Sequence, residues 1–377
     1  MRHVLRIFFR RCKFLDQVIK MSIEKIDPNF RLKDKADEYN VIFHDVREAP
    51  FKIFGVFYEN DRFVRMPKKI AESVSNNVAF LANNTAGGRV CFETNSRYIV
   101  IHADLIDIGK MPHFTTLGSA GFDMYIEDEF CRSFVPPYNI DSSFISVADL
   151  GSAANRRITI NFPLYSGVSQ MYIGLSPDSE LRAYSPYDKT APIVYYGSSI
   201  TQGGCASRPG NSYQSMIARK TGVDYINLGF SGSAKGETEM ADYIAGLEMS
   251  IFVMDYDHNA PSAEHLLETH EKFFKIIRDS HRELPVVFVT KPDFFDPANP
   301  NTEKNNRNRR DVVYTTFINA FRAGDKNVYF LDGSTLFNGD MRDSCTVDGC
   351  HPNDLGFYRM AQAIGGFVSK IRKSMNS

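Results

Sequence analysis

The stretch Ile193-Val194-Tyr195-Tyr196-Gly197-Ser198-Ser199-Ile200-Thr201 reads as an apolar strand that stops at a glycine and delivers a serine pair at its carboxyl end. A serine hydroxyl is a weak nucleophile near neutral pH. It needs a base to take its proton and an acid to orient that base. Asp348-Gly349-Cys350-His351 offers both, three residues apart and just ahead of the last helical pattern. Between these segments two further apolar runs end on small polar residues. Tyr225 and Ile226 lead into Asn227-Leu228-Gly229-Phe230-Ser231-Gly232-Ser233, and Ile251 to Val253 lead into Met254-Asp255-Tyr256-Asp257-His258-Asn259. Glycine lets backbone N–H groups approach a ligand closely. The Ser199 N–H, the Gly232 N–H and the Asn259 amide are therefore candidate donors to the oxyanion of an acyl-transfer intermediate.

Working outward, the second half alternates strand with helix. Strands are predicted at 193–196, 225–228, 251–254, 285–289 and 328–331, each followed by a helical pattern. One helix should bury Leu266, His270, Phe273, Phe274 and Ile277. The last should bury Phe357, Met360, Ala361, Ile364, Phe367, Val368 and Ile371, with Asn353 or Asp354 as its cap. Such repetition predicts a parallel sheet covered on both faces, whose ligand sites lie at the carboxyl ends of its strands. Ser199, Gly232 and Asn259 all fall just past such ends.

These blocks resemble the SGNH (GDSL-type) esterase and acylhydrolase family, whose signature serine, glycine, asparagine and D-x-x-H pair occur in this order. The resemblance spans about 192–373. It implies an α/β catalytic domain with a flavodoxin-like three-layer α/β/α parallel sheet. It also implies Ser199 as nucleophile, His351 as base and Asp348 as its orienter, with Ser199, Gly232 and Asn259 forming the oxyanion hole, and it calls for no cofactor or metal. The chain departs from the family twice: G-D-S is Gly197-Ser198-Ser199 here, and G-x-N-D is Asp257-His258-Asn259-Ala260. Ser198 therefore stays as a rival to Ser199, although Ile200 follows Ser199 as an aliphatic residue follows the family serine. Taken singly, each residue also has an ordinary reading: Ser199 as a helix cap, Gly229 and Gly232 as loop glycines, Asn259 as a turn residue, Asp348 and His351 as a solvated acid and a helix-start histidine.

From about Met21 to Pro186 the apolar period is two. Ile158, Ile160, Phe162 and Leu164 alternate with Arg157, Thr159 and Asn161; Phe122, Met124 and Ile126 alternate with Asp123, Tyr125 and Glu127. Asn84-Thr85-Ala86-Gly87-Gly88 reads as a hairpin loop. Many short strands and almost no helical stripe predict an antiparallel β-sandwich of jelly-roll type over 21–187, with Ser185 to Lys189 as the linker to a catalytic domain over 188–377. Residues 1–20 mix Arg2, Arg6, Arg10, Arg11, Lys13 and Lys20 with apolar residues. They lack the continuous apolar core of a secretory signal and read as a disordered prefix or mis-assigned start, with a basic amphipathic helix as the alternative. A cytoplasmic location is the corresponding expectation.

The chain has 377 residues and a net charge of −1, which gives no electrostatic reason to expect nucleic acid. No apolar run approaches the ~20 residues of a membrane span. The six cysteines are scattered and read as free thiols, with a bridge between Cys345 and Cys350 as the local alternative. The nine histidines show no metal-ligand spacing outside the D-x-x-H segment. Lys304, Arg307, Arg309 and Arg310 read as a solvated helix face. The expected function is a serine esterase acting on a small-molecule or oligosaccharide ester, a carbohydrate O-acetyl group by analogy. The alternatives are an O-acyltransferase using the same triad and a catalytically silent glycan-binding protein.

Overall fold

A computed structural model of the protein describes residues 23–27 and 36–375; the basic prefix lies outside the described residues. The second half folds as read. Five strands, Tyr225–Gly229, Ile193–Gly197, Ile251–Asp255, Val286–Val289 and Val328–Leu331, lie side by side in that order, all parallel. Their order along the chain is 2-1-3-4-5, so the connections reverse beside the strand carrying the serine pair. Both faces are dry. Ile193, Tyr195, Ile251, Val253 and Val287 point into one core with helices Tyr213–Thr221 and Asp354–Met375. Val194, Tyr196, Phe252, Met254, Val286 and Phe288 point into the other with helices Thr238–Ala245, Ala263–Ser280 and Pro300–Arg322. Continuous apolar strands are what burial on two sides requires.

Two antiparallel sheets make up most of the first half. One runs Ile42–Asp45, Gly167–Leu175, Tyr98–Ile106, Ser143–Asp149; the other runs Leu181–Arg182, Arg89–Thr94, Arg156–Asn161, Phe122–Ile126, Glu129–Phe134, with Lys52–Phe54 also pairing to Arg89–Thr94. Ile158, Ile160, Phe162, Phe122 and Met124 fill the core between them. Of the polar partners of that alternation, Arg157 and Glu127 are exposed as expected, but the other four do not face water. Asp123, Tyr125, Thr159 and Asn161 are buried too, because the outer face of their sheet is covered by the α/β half. Arg208 pairs with Asp123 at 2.9 Å, and the Gly210 N–H donates to the same carboxylate at 2.9 Å.

The first half also holds helices that its pattern does not advertise. Residues 84–88 follow helix Asn76–Leu81 rather than a strand, so they are not a hairpin loop. Lys68–Val74 and Asn76–Leu81 place Ala71 and Val78 in the same core as Val194 and Tyr196. A stripe this short is hard to see without its partner surface.

Tyr225–Gly229 is an edge strand, and unpaired edges invite foreign strands. Two buried arginines from the first half cap it. Arg65 Nη1 donates to the carbonyls of Asn227 at 3.1 Å and Gly229 at 2.6 Å, and Arg89 Nη2 donates to that of Tyr225 at 3.2 Å. The three alternate carbonyls that face away from the sheet are thereby satisfied. Arg65 further donates to Asn84 O and Leu81 O, and Arg89 pairs with Asp224. No helix among the described residues is long and apolar enough to cross a membrane.

Candidate active site

The serine pair divides its labour. Ser198 is extended, and its Oγ accepts the Ile200 N–H at 3.2 Å, capping the short helix Ser199–Gln202. Ser199 is the first residue of that helix, and its Oγ lies 3.0 Å from His351 Nε2. Of the two hydroxyls, then, the structure brings Ser199 to the imidazole. The turn needs Gly197, where a side chain would overlap Thr201 Oγ1 and the Asp255 carbonyl. Gly229 is needed for the same kind of reason, since its Cα sits against the Thr201–Gln202 backbone.

The imidazole is aimed by a loop closed on itself. Thr346 bridges Pro352, the Val347 N–H donates to His351 O at 3.0 Å, and Gly349 takes a φ of +81°. Asp348 Oδ2 lies 2.7 Å from His351 Nδ1, and Oδ1 accepts the N–H groups of His351 at 2.7 Å and Cys350 at 2.9 Å. Burial acts to raise the Asp348 carboxyl, but these hydrogen bonds prevail and hold it below the usual carboxylate value. An ionised Asp348 favours the tautomer with the proton on Nδ1, which leaves the Nε2 lone pair facing Ser199.

The segments that carry the three expected donors touch: Gly229 lies against the Thr201–Gln202 backbone and the Ser231 N–H donates to Gln202 Oε1. The Ser199 and Gly232 N–H groups have no acceptor among the described residues. Gly232 has a φ of +65° with open space where a side chain would be. Asn259 ends the short turn Asp257–Asn259. Its Nδ2 donates to Phe230 O at 2.9 Å, tying the asparagine block to the glycine block and leaving one amide hydrogen uncommitted.

Several supporting residues escaped the sequence reading. Arg309 is not on a solvated face; it is buried, and Nη1 donates to Asp257 O at 2.8 Å and also to Ala260 O, gripping the turn that carries Asn259. Gln202 joins the halves: its Nε2 donates to Leu164 O at 3.2 Å and Asn84 Oδ1 at 3.1 Å, while its Oε1 accepts the Ser231 N–H at 3.0 Å. Tyr165 donates its hydroxyl to the Ser199 carbonyl at 3.2 Å. His113 stands 3.8 Å from Asp348 Oδ2. Apart from the helix-borne Arg309 and Gln202, these contacts join segments far apart in the sequence, with no local spacing to reveal them. His258 lacks a reacting partner; burial pushes its imidazole down to about 3, so it is neutral beside Cys350 Sγ at 3.1 Å. The described cysteines, Cys345 and Cys350 included, are free.

The profile of the GDSL-like lipase/acylhydrolase family matches residues 190–369, and that of the N-terminus of SGNH-type esterases matches 41–181. No curated protein matches the chain. Among solved structures, a protein of Bacteroides ovatus described as a GDSL-like lipase shares 28% identity at a TM-score of 0.81, over 89% of this chain and 98% of its own. A salicylyl-acyltransferase of a tetracycline biosynthetic pathway shares 17% identity at a TM-score of 0.72, over 86% of this chain and 95% of its own. A family two carbohydrate esterase from Clostridium thermocellum, solved with cellohexaose, shares 13% identity at a TM-score of 0.53, over 77% of this chain and 93% of its own.

Proposed function

The chain belongs to the SGNH (GDSL-like) hydrolases and acts on ester bonds, and from that premise we propose that it is a serine esterase removing a short acyl group, acetyl first among them, from a carbohydrate. The observation that carries the reading is the relay Ser199 Oγ, His351 Nε2, His351 Nδ1, Asp348 Oδ2, with steps of 3.0 and 2.7 Å. Ser199 Oγ attacks the ester carbonyl as His351 takes its proton. The oxyanion is met by the Ser199 and Gly232 N–H groups and the free amide hydrogen of Asn259. Collapse expels the alcohol, protonated by His351, and water then releases the acid by the same steps. The carbohydrate part rests on likeness to esterases of that class, which share the fold. An ester-bond hydrolase leaves no place for the catalytically silent reading.

The likeness to an acyltransferase favours a second reading, in which an acceptor hydroxyl rather than water resolves the acyl-enzyme. One set of measurements separates the two. Aryl esters of increasing chain length and acetylated oligosaccharides are offered to wild type, Ser199→Ala and Ser198→Ala, with and without sugar acceptors. The esterase reading expects hydrolysis of acetyl esters unaffected by acceptor, a loss of roughly 10³-fold or more in kcat for Ser199→Ala, and most activity kept in Ser198→Ala. Acyl transfer outrunning hydrolysis would favour the second reading, and a fluorophosphonate adduct on Ser198 would move the nucleophile.

A further inference from the structure

We propose that His113, Cys205 and His351 form a binding site for a soft divalent cation, zinc by its ligand chemistry, whose occupation takes the catalytic imidazole out of use. One ligand atom from each residue lies within 4.8 Å of the other two. The sequence shows no metal spacing because the three come from separate segments: the loop before helix Thr116–Ala120, the loop after the serine helix, and the loop before the last helix.

Two of the three are held in place. Cys205 is buried with a φ of +75°, a conformation that a non-glycine residue keeps only when its surroundings impose it. The surroundings are visible: Gly118 lies against the Ala206 carbonyl, Thr115 Oγ1 donates to Ser207 O at 2.8 Å, and Asp354 accepts the Ser207 N–H at 2.8 Å. His351 is fixed by Asp348 through Nδ1. A carboxylate on one ring nitrogen is the arrangement that orients a histidine to bind metal through the other. The available nitrogen is Nε2, the one Ser199 uses. Metal and serine proton thus compete for a single lone pair.

His113 is exposed, and its ring centroid is 5.9 Å from that of His351. Around tetrahedral zinc, with Zn–N near 2.0 Å and Zn–S near 2.3 Å, ligand atoms stand roughly 3.3–3.7 Å apart. The cluster must therefore contract by about an ångström, which rotation of an exposed histidine can supply. On binding, the Cys205 Sγ–H proton leaves to solvent and the cation takes the thiolate and two neutral imidazoles, with a fourth position open to water. Without metal, burial, assisted by the Asp348 charge, pushes the Cys205 thiol up to about 12, so it does not compete with Ser199 as a nucleophile. Hard cations such as Mg²⁺ prefer oxygen and do not suit this set.

The inhibition rests on the esterase reading; the binding does not. The full chain, purified through chelator, is titrated with Zn²⁺ during hydrolysis of an aryl acetate, and separately with Co²⁺ while the near-ultraviolet thiolate-to-cobalt band is recorded. Each variant's metal-free rate is its own reference. Expected are inhibition reversed by EDTA, no effect of Mg²⁺, and a Zn²⁺ concentration for half-inhibition raised roughly tenfold or more in Cys205→Ser and His113→Ala. The cobalt band should appear in wild type and Ser199→Ala and be lost in Cys205→Ser. Absence of the band in wild type overturns the site, as does equal inhibition of wild type and both variants. A band that survives Cys205→Ser and disappears in Cys350→Ser overturns the ligand assignment. If no ester is turned over at all, the esterase reading fails, and the cobalt band alone decides the metal site.

Discussion

Asp348 carries the pH behaviour of the proposed relay. Its carboxyl is held below its ordinary value, so it stays ionised throughout the range in which an imidazole gains its proton. A protonated His351 cannot accept from Ser199. The acid limb of kcat/KM should therefore follow one ionisation, with activity lost as pH falls and no second limb from Asp348 in the imidazole range. Asp348→Asn should cost less than His351→Ala, because it misorients the base without removing it. A pH–rate series on the three proteins checks this, and full activity in His351→Ala would end the relay. At this scale the sequence was informative. A serine after a strand-ending glycine and a D-x-x-H segment are local patterns, legible because their chemistry fixes their spacing. Arg309 was not legible. On periodicity it belongs to a basic helix face, and only the turn packed against it explains why a guanidinium is buried there.

Asn259 can serve a developing oxyanion only if Asp257–Asn259 is held beneath the Phe230 carbonyl, and Arg309 is what holds it. Asn259→Ala should lower kcat by ~10²–10³ with little change in KM, since the bond strengthens only as charge develops. Arg309→Met should reproduce the direction of that effect while leaving Asn259 in the sequence. Steady-state kinetics on both variants, with circular dichroism to show that they fold, tests the pair; a change confined to KM would make Asn259 a substrate contact instead. The strands of the second half were readable because each is buried on two faces and runs apolar throughout. The outer face of the sandwich sheet was not. Asp123 and Asn161 look like solvent positions in a period of two, and their burial depends on a neighbour far along the chain.

For the whole molecule, the first half is part of how the parallel sheet is finished. Helices Lys68–Val74 and Asn76–Leu81 complete one core of the parallel sheet, and Arg65 and Arg89 satisfy its edge. A fragment beginning at Lys189 is therefore expected not to fold, or to associate through the bared edge of Tyr225–Gly229. Within the full chain, Arg65→Met should cost about 3 kcal/mol or more, because four carbonyls lose a buried donor. Urea unfolding measures the second, and sedimentation with circular dichroism the first. A monomeric, folded and active fragment would show that the parallel sheet does without these contacts.

The Tyr165 hydroxyl on the Ser199 carbonyl, with Leu164 and Asn84 on Gln202, gives the serine helix two landlords. Chimeras are the place where this shows. Grafting a sandwich from a distant relative onto this hydrolase would replace the floor under the serine helix. Domain exchange here is then an operation on reactivity, and shuffled libraries should recover activity only when residues 65, 84, 164 and 165 travel together with the hydrolase they support.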